Sequence, residues 1–195
     1  MFNRILIAIS LGASLFLTGC VNNTVLPAAE IEAARFVNDD TPFISLITMI
    51  NTNSNGGEHS ALLINGSQQI LYDPAGTFRH SRTLRSEDII YGMTPGLADY
   101  YNSYHARFGY YVKVQKLNIS LEMADALIAR TQAEGAVPKL TCGRATSDIL
   151  NDFAPFSHIN TTYFPGRVMR LFDQIEGVDV TIVREDDIGQ NYRSD

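Results

Sequence analysis

Only two cysteines, Cys20 and Cys142, occur among 195 residues. If either is consumed by modification, no internal disulfide can form. Charge is also sparse, at 18% Asp, Glu, Lys and Arg, with a net value of −6. There is no basic stretch, which argues against a nucleic-acid partner, because phosphate binding needs clustered Lys and Arg. No second hydrophobic span, internal repeat or low-complexity run is visible, so the chain suits one domain. No Gly-x-Ser-x-Gly elbow is present to carry a serine nucleophile. His105 and His158 have no partner at ligand spacing, so a zinc site is not expected, and nothing calls for a cofactor.

What is present begins at the N-terminus. Residues 1–19 have the layout of a secretory signal, with Arg4 ahead of an apolar stretch at 5–17. That stretch matches the length of a signal core and is too short to span a bilayer as a helix. Leu17-Thr18-Gly19-Cys20 resembles the lipobox of bacterial lipoproteins. The resemblance implies that Cys20 is diacylated and becomes the mature N-terminus. Val21 follows it, with no Asp to signal inner-membrane retention. By resemblance to Gram-negative lipoproteins, that implies the outer membrane, facing the periplasm. Each buried CH₂ of an acyl chain contributes about 0.8 kcal/mol, and more than one chain makes the anchoring stable. Residues 20–40, polar and Ala-rich, read as a tether, 41–185 as the folded domain, and 186–195 as a frayed acidic tail.

Within the folded part, 43–50 is β-branched and short, which predicts a strand. A turn-rich segment at 51–57 follows, then a strand at 59–65. Asn65-Gly66 is a hairpin signal, with Ser67 able to join the loop, and a third strand at 68–73 completes an antiparallel meander. Thr94-Pro95 predicts a capped helix to about residue 108. A strand at 110–117, a helix at 121–134 capped by Ser120, and a helix from Cys142 to about 153 capped by Thr141 come next. A helix from Pro165 and a strand at 178–183 close the pattern. The predicted class is α+β, an antiparallel sheet with helices packed on it.

Cys142 at a helix start is the candidate nucleophile. Unpaired N–H groups and the helix dipole lower a thiol pKa there, and the same groups can hold an oxyanion. His59 opens the second strand and is the candidate base. Asp73 ends the neighbouring strand, where its carboxylate can orient the imidazole. Taken singly, each has a plainer reading. A cysteine at a helix start is commonly a small buried apolar residue, and an Asp before proline commonly forms a turn. His80, in Phe78-Arg79-His80-Ser81-Arg82, competes for the third place.

The order of these residues resembles that of permuted papain-like hydrolases, relatives of the NlpC/P60 amidases and of the lecithin:retinol acyltransferase group. The resemblance covers about residues 42–175 and rests on three short segments. Glu58-His59-Ser60-Ala61-Leu62-Leu63-Ile64 matches the histidine strand, and Cys142-Gly143-Arg144-Ala145 the cysteine helix. Leu71-Tyr72-Asp73-Pro74-Ala75-Gly76 is similar to an Asp-Pro turn carrying the acidic residue in some papain-like peptidases. Many NlpC/P60 relatives have histidine as the third residue, and the Tyr-rich segment 91–111 does not align with the family's pattern.

The expected activity is a lipid-anchored thiol hydrolase cleaving a peptidoglycan peptide amide or an acyl bond. Cys142 would be nucleophile, His59 general base and acid, and Asp73 the residue orienting His59. Arg144, Tyr101 and Tyr104 are the candidate substrate contacts, although the tyrosines equally suit inward packing with wet hydroxyls. The alternative is a non-catalytic envelope lipoprotein binding peptidoglycan or a partner protein, with Cys142 as packing.

Overall fold

The β-branched run at Phe43–Asn51 forms β1, the strand on which the sheet is built. The computed structural model describes residues 24–185. The expected signal segment, Cys20 and the acidic tail therefore lie outside the described residues. After a helix at Ala28–Ala33 (α1) and β1 come β2 (Gly57–Asn65), β3 (Gln69–Tyr72), β4 (Leu84–Ser86) and β5 (Ile89–Tyr91). Then follow α2 (Pro95–His105), β6 (Tyr110–Asn118), α3 (Leu121–Glu134), α4 (Cys142–Asn151), α5 (Pro165–Phe172) and β7 (Asp179–Val183). A short 3₁₀ turn at Ala154–Phe156 separates α4 from α5.

The strands make one open seven-stranded sheet in the order β4-β5-β3-β2-β1-β6-β7. Each neighbouring pair is antiparallel. The class is thus α+β, as expected, and β1 to β3 form the expected meander. Asn65 pairs with Gln69, so the hairpin loop holds Gly66, Ser67 and Gln68. Ser67 N–H donates to Asp125 Oδ1 at 2.7 Å, which ties that loop to α3.

Both faces of the sheet are covered. Alternation sends Ile44, Leu46, Leu62 and Ile64 to one face, against Leu127, Ile149, Val168 and Phe172 of α3, α4 and α5. Ile47, Ala61, Leu63 and Leu71 face the other way, against Leu97, Ala98 and Tyr101 of α2. Each fully buried Leu or Ile contributes about 1.5–3 kcal/mol relative to exposure. The central strands are therefore a stiff support for anything mounted at their ends. No helix among the described residues is long and apolar enough to cross a membrane.

Helix ends follow the sequence in two cases and depart in one. Thr94 Oγ1 accepts from Leu97 N–H at 3.3 Å with Pro95 next, and Ser120 Oγ accepts from Met123 N–H at 3.1 Å. Thr141 does not cap α4. Its backbone is not extended (φ −109°, ψ 11°), and its hydroxyl donates to the Pro138 carbonyl at 2.6 Å.

Two parts differ from the expected layout. The β4–β5 hairpin was not predicted; it adds two strands at the sheet edge beyond β3. The expected tether is docked over its described part. Thr24 O accepts from Glu87 N–H at 2.8 Å, and Gln69 N–H donates to Phe36 O at 2.8 Å. Leu26 N–H donates to Ser86 Oγ at 3.1 Å, and Arg35 Nη2 to Ser67 O at 2.8 Å. Backbone groups make most of these bonds, so side-chain composition gave no sign of them.

Candidate active site

The end of β2 brings the candidate residues together. Met49 pairs with His59 while Ile50 pairs with Gly57, so Glu58 is the extra residue of a β-bulge. Such an insertion re-aims the adjoining side chain. Glu58 turns away and accepts from Tyr110 OH at 2.8 Å. His59 lies on the α2 face and stacks on His105, with centroids 6.3 Å apart and planes 20° from parallel. Ser60 points to the opposite face, where its hydroxyl meets Thr146 Oγ1 of α4 at 3.1 Å.

His59 Nε2–H donates to Asp73 Oδ1 at 2.7 Å. Its ring also interacts with the Cys142 thiol, and the charge of each group shifts the titration of the other. A histidine has two ring nitrogens, so Nδ1 is the one left to meet the sulfur. Asp73, His59 and Cys142 thus stand in series, while His80 is elsewhere, with Nδ1 accepting from Arg82 N–H at 3.2 Å. Cys142 is the free cysteine of the described residues and is 7% exposed. Gly143 lets α4 pack closely, since a Cβ there would come within 2.7 Å of the Tyr163 carbonyl oxygen.

The charges support one another. Burial alone would lower the His59 pKa. Hydrogen bonds to Asp73 and Cys142, together with their negative charges, override this and raise it to about 10. Burial pushes the Cys142 thiol up. The His59 hydrogen bond and charge, then the N–H groups of Ser60 and Gly143, outweigh burial and hold the thiol below its ordinary value. Burial also pushes the Asp73 carboxyl up, yet the bond and charge of His59 and those of Arg85 keep it well below the carboxylate range. The set therefore favours an imidazolium–thiolate pair backed by a carboxylate.

Two partners of Asp73 were not foreseen in these roles. Tyr101 OH donates to Oδ1 at 2.9 Å, and Arg85 Nη1 to Oδ2 at 2.7 Å. Tyr101 is 1% exposed, so it contacts the carboxylate and not a substrate, and its hydroxyl is not wet. Tyr104 is half exposed beside Phe78 and His105. Arg144 is half exposed, its Nε 3.4 Å from Asp148, on a depression of about 180 Å³ shared with Glu134 and Thr141. His158 Nε2–H donates to Leu171 O at 3.0 Å, away from the site. Among the described residues no group of three or more His, Cys, Asp or Glu could hold a metal.

This arrangement defines the class as an α+β protein with a Cys–His–Asp series at the junction of a strand and a helix, its Cys142 and Asp73 buried and its His59 partly exposed. Comparison with protein-family models, curated proteins and solved structures gives no significant match.

Proposed function

We propose that this protein is a lipid-anchored thiol hydrolase of the permuted papain-like type, attached at Cys20 to the outer membrane and facing the periplasm. One arrangement carries the reading: His59 Nε2–H donates to Asp73, and the same ring holds the neighbouring Cys142 thiol below its ordinary pKa. In this mechanism the Cys142 thiolate, its proton held by His59, attacks an amide or ester carbonyl. The tetrahedral oxyanion sits at the α4 N-terminus, where first-turn N–H groups lack intrahelical partners and no side chain caps them. His59 then protonates the leaving group, the thioester forms, and water hydrolyses it.

The proposed location favours a peptidoglycan peptide amide, with an acyl-lipid ester as the other carbonyl class. Tyr104 and Arg144 are the exposed side chains offered for substrate contact. A second reading, a non-catalytic envelope lipoprotein that binds peptidoglycan or a partner, is favoured by the low exposure of Cys142.

The deciding experiment is the pH dependence of Cys142 alkylation by iodoacetamide in the full chain, read on the Cys142 peptide by mass spectrometry, with His59→Ala alongside. A midpoint well below about 8.5 that moves in His59→Ala supports the hydrolase and justifies screening muropeptides and acyl esters. An ordinary midpoint indifferent to His59, or no labelling without denaturant, supports the binding protein.

A further inference from the structure

The turn after β3 sets Asp73 in a place where a carboxylate ought not to persist. Its side chain is 1% exposed, and Asp88, also 1% exposed, stands close by. Two buried carboxylates with no cation between them cannot both stay ionised, because burial and like charge both favour protonation. The cation between them is Arg85, itself 4% exposed. Four of its five N–H donors are used. Nη1 bonds Asp73 Oδ2 at 2.7 Å, and Nη2 bonds both the Asp73 carbonyl and Asp88 Oδ1 at 2.9 Å. Nε bonds the Glu87 carbonyl at 2.9 Å, closing the guanidinium onto its own hairpin.

The far end of this chain is fixed to backbone. Asp88 Oδ2 accepts from Ala75 N–H and from Val137 N–H, each at 2.9 Å. A rigid path thus runs from the loop before α4, through Asp88 and Arg85, to Asp73, His59 and Cys142. Asp73 is gripped by side chain and carbonyl together, so it can neither rotate nor recede from His59. Tyr101 completes the grip from α2.

We infer that Arg85 is a positioning residue of the Cys142–His59 pair, acting through Asp73. The inference rests on the thiol-hydrolase reading and assigns to the β4–β5 hairpin the task of keeping the third residue ionised and aimed. The groups facing Asp73 and Arg85 are His59, Tyr101, His105, Arg79, Asp88 and, through His59, Cys142. Of the cations, Arg79 gives its Nη1 to the Phe78 carbonyl at 2.9 Å, and it does not bridge the carboxylates as Arg85 does. Removing the Arg85 guanidinium takes away one of the two charges, His59 being the other, that hold the Asp73 carboxyl down, and it frees the carboxylate to turn from His59. Asp73 then supports the imidazolium less well, and the thiolate's counter-charge weakens.

The test is the Cys142 alkylation profile of the full chain against Arg85→Met, Arg85→Lys and Tyr101→Phe, with circular dichroism and melting temperature recorded for each. Arg85→Met should move the thiolate midpoint upward by about one unit, a tenfold loss of labelling below the midpoint. Arg85→Lys should fall between, since it restores charge without the bridging fork. Tyr101→Phe should move it less. A folded Arg85→Met with an unmoved midpoint, whatever its melting temperature, assigns Arg85 to stability alone and overturns the inference. If Arg85→Met does not fold, unmoved midpoints in Arg85→Lys and Tyr101→Phe overturn it instead. A wild-type midpoint that ignores His59→Ala is a separate failure, which removes the hydrolase reading and this inference with it.

Discussion

Replacing Cys142 by Ser should change the shape of the curve of stability against pH, not merely its height. His59 has an ordinary pKa of 6.5 and a folded value of about 10. A folded pKa above the unfolded one gives stability that is fully present below pH 6.5 and is lost as pH rises toward 10. Cys142 works oppositely: its folded pKa lies below the ordinary 9.0, so its contribution is present above 9.0 and lost as pH falls. Between the folded Cys142 midpoint and 9.0 the two cancel. The folded pair holds one proton, on His59, and the unfolded pair holds one, on the thiol. Wild-type stability should therefore show a plateau there with respect to this pair. Cys142→Ser removes the compensating group, and His59 alone should then give a decline of up to about 1.4 kcal/mol per pH unit. Over the interval from 6.5 to about 10 the loss is capped at about 5 kcal/mol. Less is expected in the variant, because the Cys142 bond and charge help to raise His59. Urea denaturation at half-unit pH steps measures both curves, and their difference isolates the pair. The plateau should begin at the midpoint found by alkylation. Parallel curves for the two proteins would refute the shared proton, and two flat curves would refute a raised His59.

Gly76→Ala should damage the site without touching a reactive group, because a Cβ there would overlap the Asp73 carboxylate. We expect a loss of about 1–3 kcal/mol by denaturation, with a raised Cys142 alkylation midpoint; a silent substitution would mean that Asp73 can be displaced at no cost. Deleting residues 1–37 removes four hydrogen bonds from the N-terminal segment to the hairpin, to Gln69 and to Ser67. At about 0.5–1.5 kcal/mol each, the deletion should destabilise by roughly 2–6 kcal/mol, whereas a free tether would leave the denaturation midpoint unchanged.

Much of the frame was legible because the residues advertise themselves. Asn65-Gly66, Thr94-Pro95, Ser120 and Gly135 mark ends by turn and cap chemistry that does not depend on distant partners. His59, Asp73 and Cys142 could be picked out because each lies at the end of such an element. The β4–β5 hairpin escaped because Leu84–Ser86 and Ile89–Tyr91 have three residues each, too short for a period to show. Its turn places Glu87 at φ 53°, a conformation usually signalled by Gly or Asn. Arg85 was invisible for the same reason, since a lone Arg in an unassigned segment reads as surface. Thr141 misled because a Thr before a helix is the usual sign of a cap, and only the position of the Pro138 carbonyl shows where its hydroxyl goes.

The docked N-terminal segment sets a working radius. A free run from Cys20 to residue 40 would let the domain roam some 70 Å from its anchor at 3.3–3.6 Å per residue. With Thr24 already bonded to the hairpin, only four Cα-to-Cα steps, across Val21, Asn22 and Asn23, separate the proposed acylated cysteine from the folded body. Fully extended, they reach about 14 Å. On the proposed reading, a hydrolase leashed this closely would patrol only the layer within its own width of the bilayer. Its substrate would have to come to that layer, and lengthening the leash between Cys20 and Thr24 would widen the territory without altering the chemistry.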